Sequence, residues 1–351
     1  MALFSSVGDY FALDIGTTGV RVVQLSGTEG AWSLARYGYA PIDIQLSNSD
    51  SPNDQRKLAE IIATVIGQSG IKSRDVVIGV PSDKTFATVI DMPELPASEL
   101  ATTIKYQAEQ YIPMNINDVK VDWALLGQSV NDKSKNEVLL ASVSNSFSET
   151  RLDLVEGLGL NVLAIEPDAL ALARSLQPAT SATSQQASVI VEIGDFTSDI
   201  VVIYSGAPRL IRTIPTGMQT FVKAVSQNLN VKPDQAAQFT TKFGFVADKL
   251  EGQVVRAMQS TIDQFVSEIE KSVKFFQTKY PSVKIELMIV SNYGVTIPGL
   301  KQYFESKLGF PVQLGNPWQQ VRVSTSDQTT LQPLSAQFAV AIGLAQRGVQ
   351  V

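Results

Sequence analysis

The chain has 351 residues, and at roughly 150 residues per domain this length predicts about two domains. With 44% hydrophobic and 18% charged residues, the composition is typical of a folded globular protein. The sequence contains no His and no Cys, which excludes Ser-His-Asp and Cys-His catalysis, disulfides, and zinc, haem or iron–sulfur sites held by those residues. Any chemistry must therefore use carboxylates, hydroxyls, Lys, Arg and backbone amides, a set compatible with magnesium.

Charge and hydropathy restrict the partners and the location. The net charge is −6 and no basic run occurs, so a nucleic acid is not expected as a partner. The first residues lack the pattern of a signal peptide, and no apolar stretch reaches the length of a membrane span. We therefore expect a cytoplasmic protein without direct membrane insertion.

The N-terminal half begins with a predicted β-hairpin. Tyr10 to Gly27 contains two runs rich in Val and Leu around a glycine-bearing turn, and a third strand is expected after it. Residues 55–68 carry apolar side chains at helical spacing, and Asp75 to Val80 reads as a buried strand. This pattern predicts an α/β core.

The block from Ser82 to Leu158 has no counterpart in the second half of the chain. Its hydrophobic pattern predicts, in order, a strand, a helix, two strands and a helix, at Thr85 to Met92, Ala97 to Tyr111, Val119 to Leu126, Glu137 to Val143 and Phe147 to Leu158. We interpret the block as an inserted α+β subdomain.

The second half repeats the pattern of the first half after a polar linker at Ser175 to Ser188. Ser188 to Gly206 again predicts a β-hairpin around an acid, Ile-Gly and hydroxyl residues. Helices are expected at 217–229, 233–243, 253–280 and 335–346, and a strand at 285–290. The repeat predicts a duplicated α/β fold.

The turns of the two hairpins carry the candidate chemistry. Asp14-Ile15-Gly16-Thr17-Thr18-Gly19 can direct backbone amides and hydroxyls at one concavity, which suits phosphate oxygens, and Asp14 can hold magnesium through water. A tight turn capped by its own side chains is the alternative. The second copy, Glu192 to Asp199, favours a phosphate clamp, because two such turns of a duplicated fold are expected to face each other across a cleft.

A third loop, Ser291-Asn292-Tyr293-Gly294, follows a predicted strand and precedes a helix expected near Ile297. It is either a nucleoside-binding loop or an ordinary strand-to-helix connection. Neither the P-loop nor the Rossmann glycine motif occurs in the sequence.

Together these features resemble the actin-like ATPase superfamily, which includes sugar kinases, actin and FtsA. Within it the chain is most similar to the PilM family of type IV pilus assembly proteins. The similarity covers nearly the whole sequence and rests on segments at 11–25, 90–113, 158–175, 206–217, 298–317 and 339–347. The IDMPELPASEL and YQAEQYIP segments within 90–113 separate this family from actins and sugar kinases.

The resemblance implies a duplicated actin-like, ribonuclease H-like fold with a central cleft and four subdomains. These are 1–82 with 159–182 and 336–351, the inserted block 83–158, 183–215 with 284–335, and the helical part 216–283.

The resemblance also implies that ATP or ADP is bound with magnesium. The implied nucleotide contacts are Asp14, Gly16, Thr17, Thr18, Arg21, Glu192, Gly194, Thr197, Ser198, Asn292, Tyr293 and Gly294, with magnesium held through water by Asp14 and Glu192. Arg21 stands where the family usually has Lys, Glu192 replaces an Asp, and Asn292-Tyr293 replaces a Gly-Gly pair. Tyr293 would either stack on the base or fill the pocket. Glu166 would lie beside the cleft, in the family's first connecting helix region.

By resemblance the function is that of a cytoplasmic platform in type IV pilus or related type II secretion assembly, at most a slow ATPase. It would link the N-terminal tail of a PilN-like inner-membrane protein to the pilus motor and platform proteins, with homo-oligomers as a further option. Candidate residues for the tail-binding wall, or alternatively for core and turn, are Met92, Pro93, Tyr111, Ile112 and Pro113. The alternatives are an FtsA-like filament and a small-molecule kinase, which would need a general base that no motif supplies.

Overall fold

The computed structural model describes residues 9–28, 30–178 and 186–347. The expectation of no signal peptide at the first residues, and half of the linker at 175–188, fall outside these ranges. The chain divides into two compact units, Met1–Ser175 with Pro317–Val351, and Leu176–Asn316. The assignment to four subdomains stays a prediction.

Thirteen strands and helices lie in the described residues up to the linker. They are β1 (Tyr10–Ile15), β2 (Gly19–Ser26), β3 (Trp32–Pro41), α1 (Ile44–Asn48), α2 (Pro52–Ser69), β4 (Asp75–Val80), β5 (Thr85–Pro93), α3 (Ala97–Tyr111), β6 (Val119–Gln128), β7 (Lys135–Ser144), α4 (Asn145–Glu156), β8 (Asn161–Pro167) and α5 (Asp168–Leu176). Short 3-10 turns lie at Ser82–Lys84 and Ile116–Asp118.

The elements after the linker begin with the second hairpin. They are β9 (Gln186–Ile193), β10 (Ser198–Tyr204), β11 (Ala207–Ile214), α6 (Met218–Leu229), α7 (Pro233–Lys242), α8 (Gln253–Lys279), β12 (Lys284–Asn292), α9 (Tyr293–Thr296), α10 (Leu300–Leu308), β13 (Val312–Leu314), β14 (Val321–Arg322), α11 (Thr325–Leu331) and α12 (Ala339–Ala345). Further 3-10 turns lie at Lys249–Gly252 and Gln332–Phe338.

The two units contain sheets of matching topology, which confirms the predicted duplication. The first has the order β14-β3-β2-β1-β4-β8 and the second the order β11-β10-β9-β12-β13. In each sheet, the first three strands in chain order form an antiparallel meander. The first strand of the meander also pairs in parallel with a later strand, β1 with β4 and β9 with β12. The third strand expected after the first hairpin is present as β3, and β11 is its counterpart after the second hairpin.

Each hairpin forms because its first strand is buried along its length. All six residues of β1 are buried, as expected for a central strand covered on both faces. Phe11 and Leu13 pack in a core with Leu58 and Ile62 of α2. Burying one such side chain stabilises the fold by about 1.5–3 kcal/mol, so the strand end that carries Asp14 is held firmly in place.

The inserted block has its own three-stranded antiparallel sheet, of order β5-β7-β6. Its core lies between this sheet and α3 and includes Ile90, Met92, Ile104 and Ile112. The predicted order of strands and helices in this block is confirmed.

Three expectations need correction. Val321 and Arg322, which the resemblance groups with 183–215 in the second core, pair with β3 of the first sheet. The expected C-terminal helix begins as a 3-10 turn at Gln332, with Pro333 in its first turn, and only then continues as α12. The helix expected to start near Ile297 starts at Leu300 as α10, and a separate short helix, α9, precedes it, because Ile297 is extended (φ −91°, ψ 109°) ahead of Pro298.

Candidate functional site

The turn of the first hairpin is closed by its backbone. The amide of Gly16 donates to the carbonyl of Gly19 over 3.0 Å, and Asp14 on β1 lies directly across the ladder from Arg21 on β2. A Cβ atom added at Gly16 would lie 2.9 Å from Nη1 of Arg21. Glycine at position 16 thus lets the Arg21 side chain cross the turn.

Arg21 makes a buried ion pair with Asp14. Its Nη1 lies 3.3 Å from Oδ2 of Asp14, and the two residues are only 7% and 4% exposed. Its Nη2 donates to Oε1 of Gln337 over 3.0 Å, and its guanidinium lies over the ring of Tyr39. Burial raises the pKa of Asp14, and the charge and hydrogen bond of Arg21 act in the opposite direction. The acid of the first turn is therefore already balanced by a protein cation.

The two threonines of the first turn are half-exposed. Residues beyond the turn hold their backbone carbonyls by hydrogen bonds. Ser47 Oγ donates to the carbonyl of Thr17, and the amide of Ile42 donates to the carbonyl of Thr18. The predicted phosphate-contacting hydroxyls thus sit on a turn with little freedom to move.

The second turn is anchored on the start of α6. The Gly194 amide donates to the carbonyl of Thr197 over 2.9 Å, the hydrogen bond equivalent to that of Gly16. The amides of Met218 and Gln219 donate to the carbonyls of Gly194 and Asp195. The first amides of α6 are therefore used to hold the turn.

The hydroxyls of the second turn have different surroundings. Ser198 is 1% exposed, and its Oγ donates to the carbonyl of Thr216 over 2.6 Å. Thr197 is half-exposed. Of the two predicted hydroxyl contacts, Thr197 is the accessible one and Ser198 supports the backbone.

The two turns differ in charge at the same register position. Asp14 faces Arg21 in the first hairpin, whereas Glu192 faces Asp199 in the second. Residues directly opposite on antiparallel strands project to the same face of the sheet. Asp199 accepts a hydrogen bond from the hydroxyl of Thr213 over 2.6 Å. The second turn thus presents two acids where the first has an ion pair.

The third loop has an unusual backbone. Asn292 has φ 54° and ψ −129°, a conformation that favours glycine. Its Nδ2 donates to Oε1 of Glu192 over 2.9 Å. The glycine expected here from the resemblance matches this backbone conformation, although the residue is Asn.

Tyr293 and Gly294 begin α9, directly after the strand. The ring of Tyr293 is half-buried and packs against the core of its unit. A Cβ atom at Gly294 would come within 2.3 Å of Cγ1 of Val290, so this glycine permits the helix to pack on the sheet. The structure therefore brings Glu192 and Asn292 together, with Tyr293 next in the chain.

The remaining predicted residues lie elsewhere. Met92 and Ile112 are buried in the core of the inserted block, whereas Pro93, Tyr111 and Pro113 are exposed. Glu166 lies on β8 rather than in a connecting helix. It is 2% exposed, and its carboxylate binds Arg174 at 2.6 Å and Arg347 at 3.1 Å.

Sequence reasoning missed three residues of these sites. Asp199 could have been found, because the hairpin register that pairs Asp14 with Arg21 places it opposite Glu192. Tyr39 and Gln337 left no local signal, since they reach Arg21 from β3 and from a turn 316 positions away. In the described ranges, no group of three or more acidic side chains is arranged to hold a metal ion.

Comparisons with known proteins identify the fold. The family model described as type IV pilus assembly protein PilM matches residues 12–349. The solved structure titled PilM-PilN type IV pilus biogenesis complex is 22% identical, covers 98% of this chain and 100% of its own, and has a TM-score of 0.82.

Two further structures share the fold. The ethanolamine utilization protein EutJ of Carboxydothermus hydrogenoformans is 15% identical, covers 96% of this chain and 88% of its own, and has a TM-score of 0.54. MreB5 of Spiroplasma citri bound to ADP is 12% identical, covers 95% of this chain and 94% of its own, and has a TM-score of 0.52. The predicted actin-like fold is confirmed. Across the described residues, no helix has both the length and the apolar character of a membrane span.

Proposed function

Since the chain belongs to the PilM family of type IV pilus assembly proteins, we propose that it is the nucleotide-binding platform of a type IV pilus assembly machine. It would link a PilN-like inner-membrane protein to cytoplasmic motor components and lie at the membrane through that partner. The observation that carries this proposal is the family match over residues 12–349. The similar fold of a PilM in complex with PilN supports it.

The proposed partner segment is the N-terminal tail of the PilN-like protein, bound in extended form at the inserted block. Among the described residues, β5 pairs on one side only, with β7, so its other edge can accept an added strand. Pro93 at the end of β5 and the exposed residues Tyr111 and Pro113 after α3 offer apolar contacts. Met92 and Ile112, being buried, would support this surface from below.

A peptide-binding measurement tests the partner proposal. A labelled peptide with the sequence of the tail should bind the full chain in fluorescence anisotropy, and Tyr111→Ala should weaken it about thirtyfold, the loss that corresponds to the about 2 kcal/mol of an interface hot spot. Phe275→Ala, at a 71% exposed aromatic residue of α8, is the matched control and should have no effect. Failure of the peptide to bind, or strong binding of the chain to liposomes that lack the partner, contradicts the proposal.

For the nucleotide, we assign phosphate contacts to each turn separately. In the first turn the backbone around Gly16 and the hydroxyls of Thr17 and Thr18 would contact phosphate oxygens, with Arg21 supplying positive charge. In the second, Gly194 and Thr197 would do so, and Tyr293 would contact the base. Fixed turns of this kind need little reorganisation to bind an anion. The proposal concerns binding and not turnover.

Magnesium does not fit the first turn as well as the sequence suggested. Arg21 already pairs with Asp14, so the ion would compete with a guanidinium that is held on several sides. The second turn offers the better donor set, since Glu192 and Asp199 are two acids on one face of the sheet. We assign the ion, held through water, to these two residues; it would offset their charge when a phosphate binds.

Calorimetric titration of the full chain with ATP, with and without magnesium, tests this assignment. Glu192→Gln should abolish most of the increase in affinity that magnesium produces, because Gln keeps the contact to Asn292 and loses only the charge. Asp14→Asn should change ATP binding by a similar factor with and without the ion, because in this assignment Asp14 pairs with Arg21 and not with magnesium. The opposite pattern would restore Asp14 as the magnesium residue, and no binding of ATP to the wild type would refute the nucleotide proposal.

A further inference from the structure

A second candidate site lies within the first unit, away from both hairpin turns. It is a cavity of about 260 Å³ between α1, α2, the 3-10 turn at Ser82–Lys84 and the start of α4. A water molecule occupies about 30 Å³ in the liquid, so the cavity can hold a small polar ligand together with several waters. We name it the Arg151 cavity.

Arg151 is the central feature of this cavity. The residue is 5% exposed, and its Nη2 donates to the carbonyl of Ser47 over 3.2 Å. Its Nη1 is buried and has no hydrogen-bond partner among the residues that the structure describes. A buried guanidinium nitrogen without a partner is costly. This donor therefore indicates an acceptor that occupies the cavity in the working protein.

The hydrogen-bond donors around the cavity suit an oxyanion. Arg151 and Lys84 line it together with Asp50, and the Lys84 ammonium, which pairs with Asp83 at 3.1 Å, has further N–H groups to donate. The N-terminus of α4 supplies backbone amides, since its N-cap Ser144 lines the cavity and makes no capping hydrogen bond. Burial lowers the pKa of Arg151, while Asp50 and Asp168 counteract this, so an added anion would stabilise its charged form.

Two acceptors in the same lining restrict the kind of anion. Oε1 of Gln55 is buried and has no hydrogen-bond partner among the described residues. The amide nitrogen of the same side chain, Nε2, donates to the carbonyl of Ser49 over 2.6 Å. Asp50 adds a carboxylate to the lining. An oxyanion without a proton would leave Oε1 unsatisfied and face the carboxylate unfavourably. An oxyanion that carries a proton can accept from Arg151 and donate to Gln55 or Asp50.

We propose that the Arg151 cavity binds inorganic phosphate. Arg151 and Lys84 would donate hydrogen bonds to its oxygens, and Gln55 or Asp50 would accept a hydrogen bond from its protonated oxygen. Inorganic phosphate keeps a proton at neutral pH, whereas sulfate has none. A phosphate monoester has lost most of its second proton at pH 7, since the pKa is about 6. The site should therefore prefer free phosphate to both.

Calorimetric titrations of the full chain with inorganic phosphate, sulfate and glycerol 3-phosphate test the proposal. Phosphate should bind at least about tenfold more tightly than the other two, the order expected when a buried acceptor is left unpaired. Equal binding of phosphate and sulfate, or no binding of phosphate at millimolar concentrations, overturns it. Tighter binding of the monoester would also overturn it, because the ligand would then be an esterified phosphate.

Variants locate the binding and control for folding. Arg151→Lys keeps the charge but loses the fork of donors, and should weaken phosphate binding about tenfold, whereas Arg56→Lys on the exposed face of α2 should not change it. Asp50→Asn should reduce the preference for phosphate over sulfate, and Asp153→Asn, an exposed acid on α4, should leave the preference intact. Circular dichroism and thermal unfolding confirm that each variant is folded. Unchanged phosphate affinity in folded Arg151→Lys refutes the assignment to this cavity.

The phosphate and nucleotide proposals can fail independently. Glu192→Gln lies in the other unit and should leave phosphate binding unchanged, and Arg151→Lys should leave the magnesium dependence of ATP binding unchanged. If either variant lost both phosphate binding and the magnesium dependence of ATP binding, the two ligands would share a site, which would contradict this inference.

Discussion

The side chain of Asn292 joins the ends of two neighbouring parallel strands, because its Nδ2 donates to Oε1 of Glu192 over 2.9 Å. Asn292 does so from a backbone conformation that favours glycine. We expect Asn292→Ala to destabilise the protein by about 1 kcal/mol more than Asn292→Gly, because both lose the amide but only Ala keeps a Cβ at positive φ. Urea unfolding measures the difference. Equal stability of the two variants would show that the backbone relaxes at this position.

The ring of Tyr293 gives a test of the proposed base contact. Stacking of a base on an aromatic ring contributes about 1–3 kcal/mol, so Tyr293→Ala should weaken ATP binding by about 1–2 kcal/mol while Tyr293→Phe should preserve it. Calorimetry at fixed magnesium measures both. Tighter binding of ATP to Tyr293→Ala would show instead that the ring fills the space of the base.

The buried pair of Arg21 and Asp14 predicts a large and pH-dependent loss of stability. Arg21→Met leaves a buried carboxylate without its cation, which costs about 3–5 kcal/mol near neutral pH. Because burial raises the pKa of Asp14, the folded variant binds a proton more tightly than the unfolded chain. The difference in unfolding free energy between wild type and variant should therefore be largest at neutral pH and shrink as the pH falls through that pKa.

Denaturant unfolding of the wild type, Arg21→Met and the double variant Arg21→Met with Asp14→Asn measures this effect. In the double variant the neutral amide should restore part of the stability and remove the part of the pH dependence that comes from Asp14. If Arg21→Met lost more stability toward acid pH, burial would not be the dominant influence on Asp14.

We expect Glu166 to stabilise the first unit by holding α5 and the residue after α12 together. Its buried carboxylate binds Arg174 of α5 and Arg347 after α12. Glu166→Gln removes the charge from both contacts and should destabilise the protein by about 1–3 kcal/mol. Glu60→Gln, an exposed acid of α2, serves as the control in thermal unfolding and should change the stability little. A similar loss in both variants would argue against a specific role of the two arginines.

Much of the fold was determined by the sequence itself. The two hairpins, the helices of the inserted block and the long α8 follow from local patterns of apolar residues, which fix both the period and the buried face of an element. The recurrence of an acid, Ile-Gly and hydroxyls located both turns for the same reason. The absence of His and Cys excluded catalysis and metal sites that depend on these residues, a conclusion that needs only the sequence.

Tertiary structure decided how those residues are used. Arg21 meets Gln337 across 316 positions, Met92 and Ile112 are buried beneath their neighbours, and β14 joins the first sheet rather than the second. Arg151, on α4, has a buried nitrogen without a partner among the described residues, in a cavity that is also lined by α1 and α2. Such contacts depend on which distant segments pack together, and a local pattern of residues carries no information on them. The sequence therefore determined where the two hairpin turns lie, and packing determined which of their charges are already paired.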